Sequence, residues 1–388
     1  MTSQSGPHVA LSTRDGLIDL SLGQPSPRLL PREQIARAAR DLANADPLVL
    51  QYGAVQGFLP FRRALAEFLT REHSVEVRAE ELALSGAISL SLSLLADVFG
   101  RRRGLVFCED PTYFRASGIF RSAGLRVAGV PVDAEGLRVD AVARKIEGGE
   151  VPDFVYVIPT FQNPTGVDLS APRREALFAL ARRHEFLIIS DEPYNLLSFD
   201  GSPRRPLATY KGARGRVISV SSFSKILAPG LRTGWWHAEP ELLAKAQEHG
   251  ALLSGGNLNP VMGQILLPLL TEGELSAYVE RLRSILSERR DAVCAALERH
   301  LPEARFRRPE GGYFVWLELA RGTDMRALLR RARDLGVSFC PGERCTVDEN
   351  RSHCLRLSLA FYESEELVRG IQRLAEALRF GAARETLP

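Results

Sequence analysis

Short apolar runs alternate with helical patterns through the middle of the chain. The apolar runs predict strands at 104–110, 125–132, 154–160, 186–190 and 216–222. Between two of them, residues 172–185 have apolar positions three and four apart, and Pro172 suits the first turn of a helix. Continuous apolar strands alternating with amphipathic helices predict an α/β fold, whose mostly parallel sheet is sandwiched by helices.

The last third of the chain has a different pattern. Residues 274–299 predict one long helix, and apolar runs at 311–319 and 353–361 predict strands with helices between and after them. This arrangement is typical of a smaller α+β domain. We therefore expect an N-terminal segment (1–45) that packs with the small domain, a large domain (46–280) and a small C-terminal domain (281–388).

Composition is that of an ordinary globular protein. The chain has 388 residues, of which 45% are hydrophobic and 25% charged. Its 50 basic and 47 acidic residues give a net charge of +3, too balanced to indicate binding to nucleic acid or to a membrane surface. We expect a cytoplasmic protein, because neither a signal peptide nor a run of about 18 apolar residues is visible.

The five cysteines do not indicate a disulfide framework. They are Cys108, Cys294, Cys340, Cys345 and Cys354, an odd number without a CxxC pair, which favours a reducing compartment. The spacing of the last three cysteines fits no compact zinc site, so we expect no bound metal. The sequence gives no role for Cys340 or Cys345.

Several predicted strands lead directly into residues that can bind or react with a ligand. These residues are Tyr113, Asn163, Asp191, Tyr194, Ser222, Ser224 and Lys225. Ligands bind beyond the carboxyl ends of parallel strands. We therefore expect these side chains to gather at one edge of the sheet.

Two further features predict that this edge binds an anion. Gly86 and Ala87 open an apolar helix, whose first turn offers free N–H groups to a phosphate. Arg232 follows Lys225 by seven residues and can contact the same phosphate through two N–H groups. A phosphate site beside a strand-end lysine and an aspartate is typical of pyridoxal 5′-phosphate, which forms a Schiff base with the lysine.

Nine segments match a known family in its order along the chain. They are LSLGQPSP (20–27), LQYGAVQGFLPFRRALAEFL (50–69), LSGAISL (84–90), EDPTYF (109–114), PTFQNPTG (159–166), SDEPY (190–194), SFSKILAPGLRTGW (222–235), PEGGYFVWLEL (309–319) and CLRLSLAF (354–361). With them the chain resembles the fold-type I pyridoxal-phosphate aminotransferases of class I/II. It is most similar to the branch of the 2-aminoadipate aminotransferases and the aminotransferase-like domains of MocR regulators.

The resemblance implies how the cofactor would be held. Lys225 would form the Schiff base and move the proton, and Asp191 would keep the pyridine nitrogen protonated. Tyr194 and Asn163 would hydrogen-bond the phenolic oxygen of the ring, while Tyr113 would stack on its face. The residues that would hold the phosphate are Ser222, Ser224, Arg232 and the backbone of Gly86 and Ala87.

The resemblance also implies a homodimer and a substrate site. Tyr52 would reach the phosphate of the partner subunit, so that the two active sites are shared. Arg356 would bind the substrate α-carboxylate with help from Asn163, and Gly23 lies in a segment that closes over the substrate. Gln24 and Arg28 lie where relatives contact the distal end of the substrate. Arg28 favours an acidic side chain, although a surface role fits it equally well.

The expected activity is transfer of the amino group of an L-α-amino acid to a 2-oxo acid, with 2-oxoglutarate as the usual acceptor, by a ping-pong mechanism. The same lysine and aspartate also serve elimination, decarboxylation, oxidation and cyclisation in related enzymes, and the sequence does not exclude these reactions. A ligand-sensing domain of the MocR type would need a DNA-binding helix-turn-helix before position 20, and we expect none. The donor amino acid stays open.

Overall fold

The computed structural model describes residues 16–256, 259–348 and 351–385. Its helices are α1 (Arg32–Asp41), α2 (Leu59–His73), α3 (Ala87–Phe99), α4 (Ala116–Ser122), α5 (Val139–Glu147), α6 (Ala171–His184), α7 (Pro240–Ala246), α8 (Gly250–Gly255), α9 (Pro260–Thr271), α10 (Glu274–His300), α11 (Met325–Asp334) and α12 (Ser364–Glu385). Short 3-10 helices are Pro27–Leu29, Leu42–Asn44, Pro47–Leu50, Ala79–Glu81, Leu207–Thr209, Lys211–Ala213, Pro229–Leu231 and Gly342–Cys345. Within the described ranges, no helix is both long enough and apolar enough to cross a membrane.

The strands are β1 (Ile18–Asp19), β2 (Leu82–Ser85), β3 (Leu105–Asp110), β4 (Arg126–Asp133), β5 (Gly136–Leu137), β6 (Phe154–Val157), β7 (Leu187–Asp191), β8 (Val217–Ser222), β9 (Gly234–His237), β10 (Arg305–Phe306), β11 (Phe314–Glu318), β12 (Val337–Ser338), β13 (Cys340–Pro341) and β14 (Cys354–Ser358). Eight of them form the large sheet in the order β2-β9-β8-β7-β6-β3-β4-β5. Strands β4, β3, β6, β7 and β8 are parallel neighbours, whereas β9 runs antiparallel to β2 and β8. The predicted α/β fold with a mostly parallel sheet is confirmed.

Helices cover both faces of the large sheet, which explains why its strands are continuously apolar. Adjacent residues of β3 point to opposite faces: Val106 packs with residues of α3 and α4, and Phe107 packs with residues of α5 and α6. Every residue of β6 is buried. A strand buried on both faces has no position for a solvated polar side chain, and so alternation is absent from its sequence.

A second, smaller sheet lies in the last third of the chain. Its order is β10-β11-β14-β13, and its pairs are antiparallel. The N-terminal strand β1 pairs in parallel with β12 through Ile18 and Val337, and Ile18 shares a hydrophobic core with α10, α11 and α12. Residues 1–15 of the predicted N-terminal segment lie outside the described residues. The predicted domain boundary near residue 280, which stays a prediction, falls within α10.

A buried arginine fastens the long helix α10 to the chain that follows β14. Arg289 is 1% exposed. Its Nη1 donates to the carbonyl oxygen of Ala360, and its Nη2 donates to Glu363 Oε1, each at 2.8 Å. Glu363 is half-exposed, so the ion pair is only partly desolvated. The bulk of the side chain and the hydrogen bond to Ala360 therefore contribute most of its stabilising effect.

We expect Arg289→Ala to lower the thermal unfolding midpoint, because a cavity and two lost hydrogen bonds cost about 2–4 kcal/mol. Arg289→Met, which keeps most of the volume, should cost less. Arg299→Ala, at an exposed position of the same helix, is the matched control and should leave the midpoint almost unchanged. Equal midpoints for the Arg289→Ala and Arg299→Ala proteins would show that Arg289 is not an anchor.

Candidate active site

A cleft of about 550 Å³ lies beyond the carboxyl ends of β6, β7 and β8, where the two sheets approach each other. Most of the residues singled out from the sequence line it. They are Gly23, Gln24, Ala87, Tyr113, Asn163, Asp191, Tyr194, Ser222, Ser224, Lys225, Arg232 and Arg356. The parallel strands bring these residues together because each strand ends at the same edge of the sheet.

Asp191, the last residue of β7, is a buried carboxylate with one partner. Its Oδ2 accepts a hydrogen bond from Tyr156 Oη at 2.6 Å. Its Oδ1 is buried and has no hydrogen-bond partner in the described part of the chain. Burial raises the pKa of Asp191 to about 7, while the bond from Tyr156 opposes that rise. A buried oxygen without a partner marks a place where a ligand donor would be stabilised.

Lys225 follows the end of β8 and extends into the same cleft. Its Nζ donates to the carbonyl oxygen of Gly23 at 2.6 Å. Tyr313 Oη donates to the carbonyl oxygen of Lys225 at 2.7 Å, which holds the backbone at this point. Burial, and then the positive charge of Arg356, lower the pKa of Lys225 to about 8. An appreciable fraction of the amine is therefore neutral near pH 8, as a nucleophile or a base requires.

The first turn of α3 forms a cradle for an anion. Its N–H groups have no intrahelical partners and lie at the positive end of the helix dipole. Gly234 of β9 packs against this turn, because a Cβ atom on Gly234 would lie 3.0 Å from Ala87 Cα. Ser222 and Ser224 line the adjoining wall. Arg232, an exposed residue in the left-handed region (φ +47°), supplies a guanidinium.

Arg356 connects three separate parts of the chain at the other side of the cleft. It lies in the middle of β14 and is 3% exposed. Its Nη1 donates to Asn163 Oδ1 at 2.8 Å, and its Nη2 donates to the carbonyl oxygen of Ser21 at 2.9 Å. The guanidinium carbon lies 4.0 Å from the centre of the Phe314 ring. These contacts fix the plane of a guanidinium that faces the cleft.

Two aromatic residues predicted from the sequence flank the cleft. Tyr194 is buried, with its ring centre 5.5 Å from that of Tyr313 and 6.0 Å from that of Phe314. Tyr113 is half-buried beside the start of α3. Burial raises the pKa of both phenols, so both are protonated near neutral pH. Each can therefore donate a hydrogen bond to a ligand oxygen.

Three residues singled out from the sequence do not line the cleft of this chain. Gly86 precedes the first turn of α3 and lies next to the cradle. Tyr52 is 86% exposed. Arg28 is exposed, and its Nη1 donates to Glu366 Oε2 at 2.9 Å. The ion pair fits the surface role that the sequence left open for Arg28, and contact with the distal end of the substrate stays a prediction.

Two residues behind the cleft were not predicted from the sequence. Tyr156 is a phenol inside the apolar strand β6, beside β7 in the sheet, and this exception to the apolar pattern was the available signal. Glu192 follows Asp191 and is fully enclosed by donors: Ser190, Ser219, Asn195 and the backbone N–H of Leu207. Burial raises the pKa of Glu192 to about 7. Its hydrogen bonds fasten β7 to β8 where Asp191 and Lys225 emerge.

Comparisons with known proteins agree with this geometry. The family model described as aminotransferase class I and II matches residues 15–374. The aromatic-amino-acid aminotransferase 1 of Thermococcus litoralis is 33% identical, covering 94% of this chain and 88% of that protein. The solved structure of LysN, an α-aminoadipate aminotransferase of Thermus thermophilus complexed with N-(5′-phosphopyridoxyl)-L-leucine, is 34% identical with a TM-score of 0.84, covering 95% and 94% of the two chains. The multiple substrate aminotransferase of Thermococcus profundus is 32% identical with a TM-score of 0.87, covering 96% and 93%.

The buried carboxyl of Asp191 should make the stability of the ligand-free protein depend on pH. Its folded pKa lies above the ordinary unfolded value, so its stabilising contribution is complete below about pH 4 and is lost as the pH rises through about 7. Asp191→Asn removes this titration. Between pH 4 and pH 8, we expect the free energy of unfolding of the wild-type protein to fall by up to about 4 kcal/mol more than that of the variant.

Urea unfolding midpoints of the two ligand-free proteins across this pH range measure the difference. Glu109 and Glu192, whose pKa values are also raised by burial, to about 8 and about 7, titrate in both proteins, so the comparison reports Asp191 together with its charge coupling to these two neighbours. Parallel profiles for wild type and Asp191→Asn would contradict the assignment of a raised pKa to Asp191.

Proposed function

The chain belongs to the class I and II aminotransferases, and on that basis we propose how its own residues perform the reaction. It is a pyridoxal-phosphate-dependent enzyme that moves the amino group of an amino acid to a 2-oxo acid. We propose 2-oxoglutarate as the acceptor and a ping-pong order, in which one site binds the amino acid and the 2-oxo acid in turn.

The residues of the cleft fit the cofactor. The unpartnered Oδ1 of Asp191 is the observation that supports this most directly, because a protonated pyridine nitrogen is the donor that would satisfy it. Lys225 shares the cleft with Asp191, and the first turn of α3 with Ser222 and Arg232 offers a cradle for the phosphate. When bound, pyridoxal 5′-phosphate supplies an electron sink for the negative charge that develops at the substrate Cα.

We propose that Asp191 holds a positive charge on the cofactor ring. A carboxylate buried with a cation is much more strongly attracted to it than in water. Tyr156 donates to the other oxygen and lowers the pKa of the carboxyl against the effect of burial, so Tyr156 favours the charged form. Tyr194 and Asn163 would hydrogen-bond the phenolic oxygen of the ring, and Tyr113 would cover its face.

We propose that Lys225 binds the cofactor and then moves the proton of the substrate Cα. With a pKa lowered to about 8 by burial, it can accept a proton and return it near neutral pH. The hydrogen bond to the carbonyl oxygen of Gly23 holds the amine at the floor of the cleft. Gly23 has no room for a side chain, since a Cβ atom there would lie 2.9 Å from Phe314 Cζ.

Arg356 is proposed to bind the α-carboxylate of the substrate. A guanidinium makes two parallel hydrogen bonds to a carboxylate, and Asn163 and Ser21 already orient this one. Because the carboxylate is fixed, the Cα–H bond is positioned relative to the amine of Lys225. Gln24 lines the same cleft and lies within reach of a substrate side chain.

We propose a homodimer with shared active sites and the domain division described above. The segment that contains Tyr52 exposes three large apolar side chains: Leu48 at 71%, Leu50 at 69% and Tyr52 at 86%. Clustered exposed apolar residues are typical of interaction surfaces. In a dimer, the side chain of Tyr52 would project across the interface and contact the cofactor phosphate of the partner.

Absorbance of the purified protein loaded with pyridoxal 5′-phosphate tests the function. We expect a panel of L-amino acids, added one at a time without an acceptor, to convert the bound cofactor to its pyridoxamine form. Lys225→Ala should slow this conversion by about 10²–10⁴-fold or more, because both the attachment and the proton transfer are lost. Release of ammonia or carbon dioxide without the pyridoxamine form would contradict transamination.

Arg356→Lys should mainly weaken substrate binding. An ammonium provides charge but not two parallel hydrogen bonds, so we expect KM for the donor amino acid to rise about 10-fold or more while kcat changes less. Arg28→Lys, an exposed change outside the cleft, is the control. A large fall in kcat with an unchanged KM would show that Arg356 acts elsewhere in the reaction.

A further inference from the structure

The cleft contains more positive charge than the cofactor phosphate and one α-carboxylate require. The basic side chains that line it among the described residues are Arg115, Lys225, Arg232, Arg333, Arg344 and Arg356, and the carboxylates are Asp19 and Asp191. The roles proposed above use Lys225, Arg232 and Arg356. Three arginines at the mouth of the cleft are left without a role.

Two of these arginines share one aromatic ring with Arg356. The guanidinium carbons of Arg115, Arg344 and Arg356 lie 5.3, 5.1 and 5.9 Å from the centre of the Phe114 ring. Arg115 immediately precedes α4, Arg344 lies in the 3-10 helix after β13, and Arg356 lies in β14. Three separate elements therefore place guanidinium groups around Phe114. The aromatic ring attracts these cations but does not neutralise their charge.

Neither Arg115 nor Arg344 has an ion-pair partner in the part of the chain that the structure describes. Several exposed arginines elsewhere in the chain do form ion pairs, such as Arg28 with Glu366 and Arg138 with Asp140. Guanidinium groups gathered around one ring repel each other, although solvent at the mouth of the cleft weakens the repulsion. An anion that enters the cleft would remove the repulsion and gain hydrogen bonds from both guanidinium groups.

We propose that Arg115 and Arg344 bind the distal carboxylate of a dicarboxylic amino acid, and of the corresponding 2-oxo acid, while Arg356 binds the α-carboxylate. The proposal rests on the transaminase function proposed above and names its substrate class. The short aliphatic chain between the two carboxylates would lie against the Phe114 ring. Arg28, which the sequence suggested for this role, is outside the cleft and already paired.

Pairs of substrates that are similar in shape but differ in the charge at the end of the side chain test this proposal. In the holoenzyme, kcat/KM for conversion of the cofactor is measured with L-glutamate and L-2-aminoadipate, and with their uncharged counterparts L-glutamine and L-norleucine. We expect the acidic member of each pair to be preferred. Arg115→Gln or Arg344→Gln should lower its kcat/KM by about 3–5-fold, and the double variant by about 10-fold or more. The uncharged members should change by less than about 2-fold, and Arg28→Gln should alter none of these values.

A binding measurement that requires no turnover provides the second readout. Calorimetric titration of the holoenzyme with glutarate should show an affinity that falls with added salt, because the charges are near the surface. The double variant should bind glutarate about 10-fold more weakly with a smaller salt dependence. Pentanoate, which has one carboxylate, should bind both proteins equally. Thermal unfolding shows whether the variants are folded.

The outcomes distinguish this inference from the proposed function. The inference is overturned if the wild-type enzyme converts neutral amino acids as well as acidic ones, or if the double variant keeps the wild-type preference. It is also overturned if Arg28→Gln, rather than the change at Arg115 or Arg344, removes that preference. In each case transamination itself would still be observed. If no amino acid converts the cofactor, the proposed function fails first, and the inference fails with it.

Discussion

The hydrogen bond from Tyr156 to the buried carboxyl of Asp191 is the interaction on which the active site depends. Burial alone would favour the neutral acid, and a neutral acid would not hold a positive charge on the cofactor ring. Tyr156 donates to one carboxylate oxygen from within the sheet, and the other oxygen is buried without a hydrogen-bond partner among the described residues. In the proposed function, this buried oxygen is the acceptor for the cation that the bound cofactor would provide.

Lys225 and Asp191 are shifted in opposite directions by the same cause. Burial disfavours the charged form of each, so the pKa of the lysine falls to about 8 and that of the aspartate rises to about 7. Both groups can therefore change protonation near physiological pH. Glu192 and its four hydrogen-bond donors hold the ends of β7 and β8 behind this pair, which keeps the two functional groups at a fixed separation.

The smaller sheet completes the site. Its Arg356 is held by Asn163 from the large sheet and by Ser21 from the N-terminal segment, so one guanidinium joins three parts of the chain. Any change in the position of the small sheet would move the proposed α-carboxylate site relative to Lys225. The same region supplies Arg344, and α4 supplies Arg115 beside it on the Phe114 ring. In our proposal, substrate choice is decided where the two sheets meet.

The sequence by itself determined the local elements and the residues at the strand ends. The helix predicted at 172–185 and the strands that precede Asp191 and Lys225 depend on periodicity and on turn residues close in the chain, and both appear in the structure. Only the tertiary structure decided that Tyr156 reaches Asp191, that Arg28 pairs outside the cleft, and that Arg115 and Arg344 meet at Phe114. Those contacts join residues from 35 to more than 300 positions apart, and they depend on side-chain direction in the packed molecule, which local periodicity does not encode.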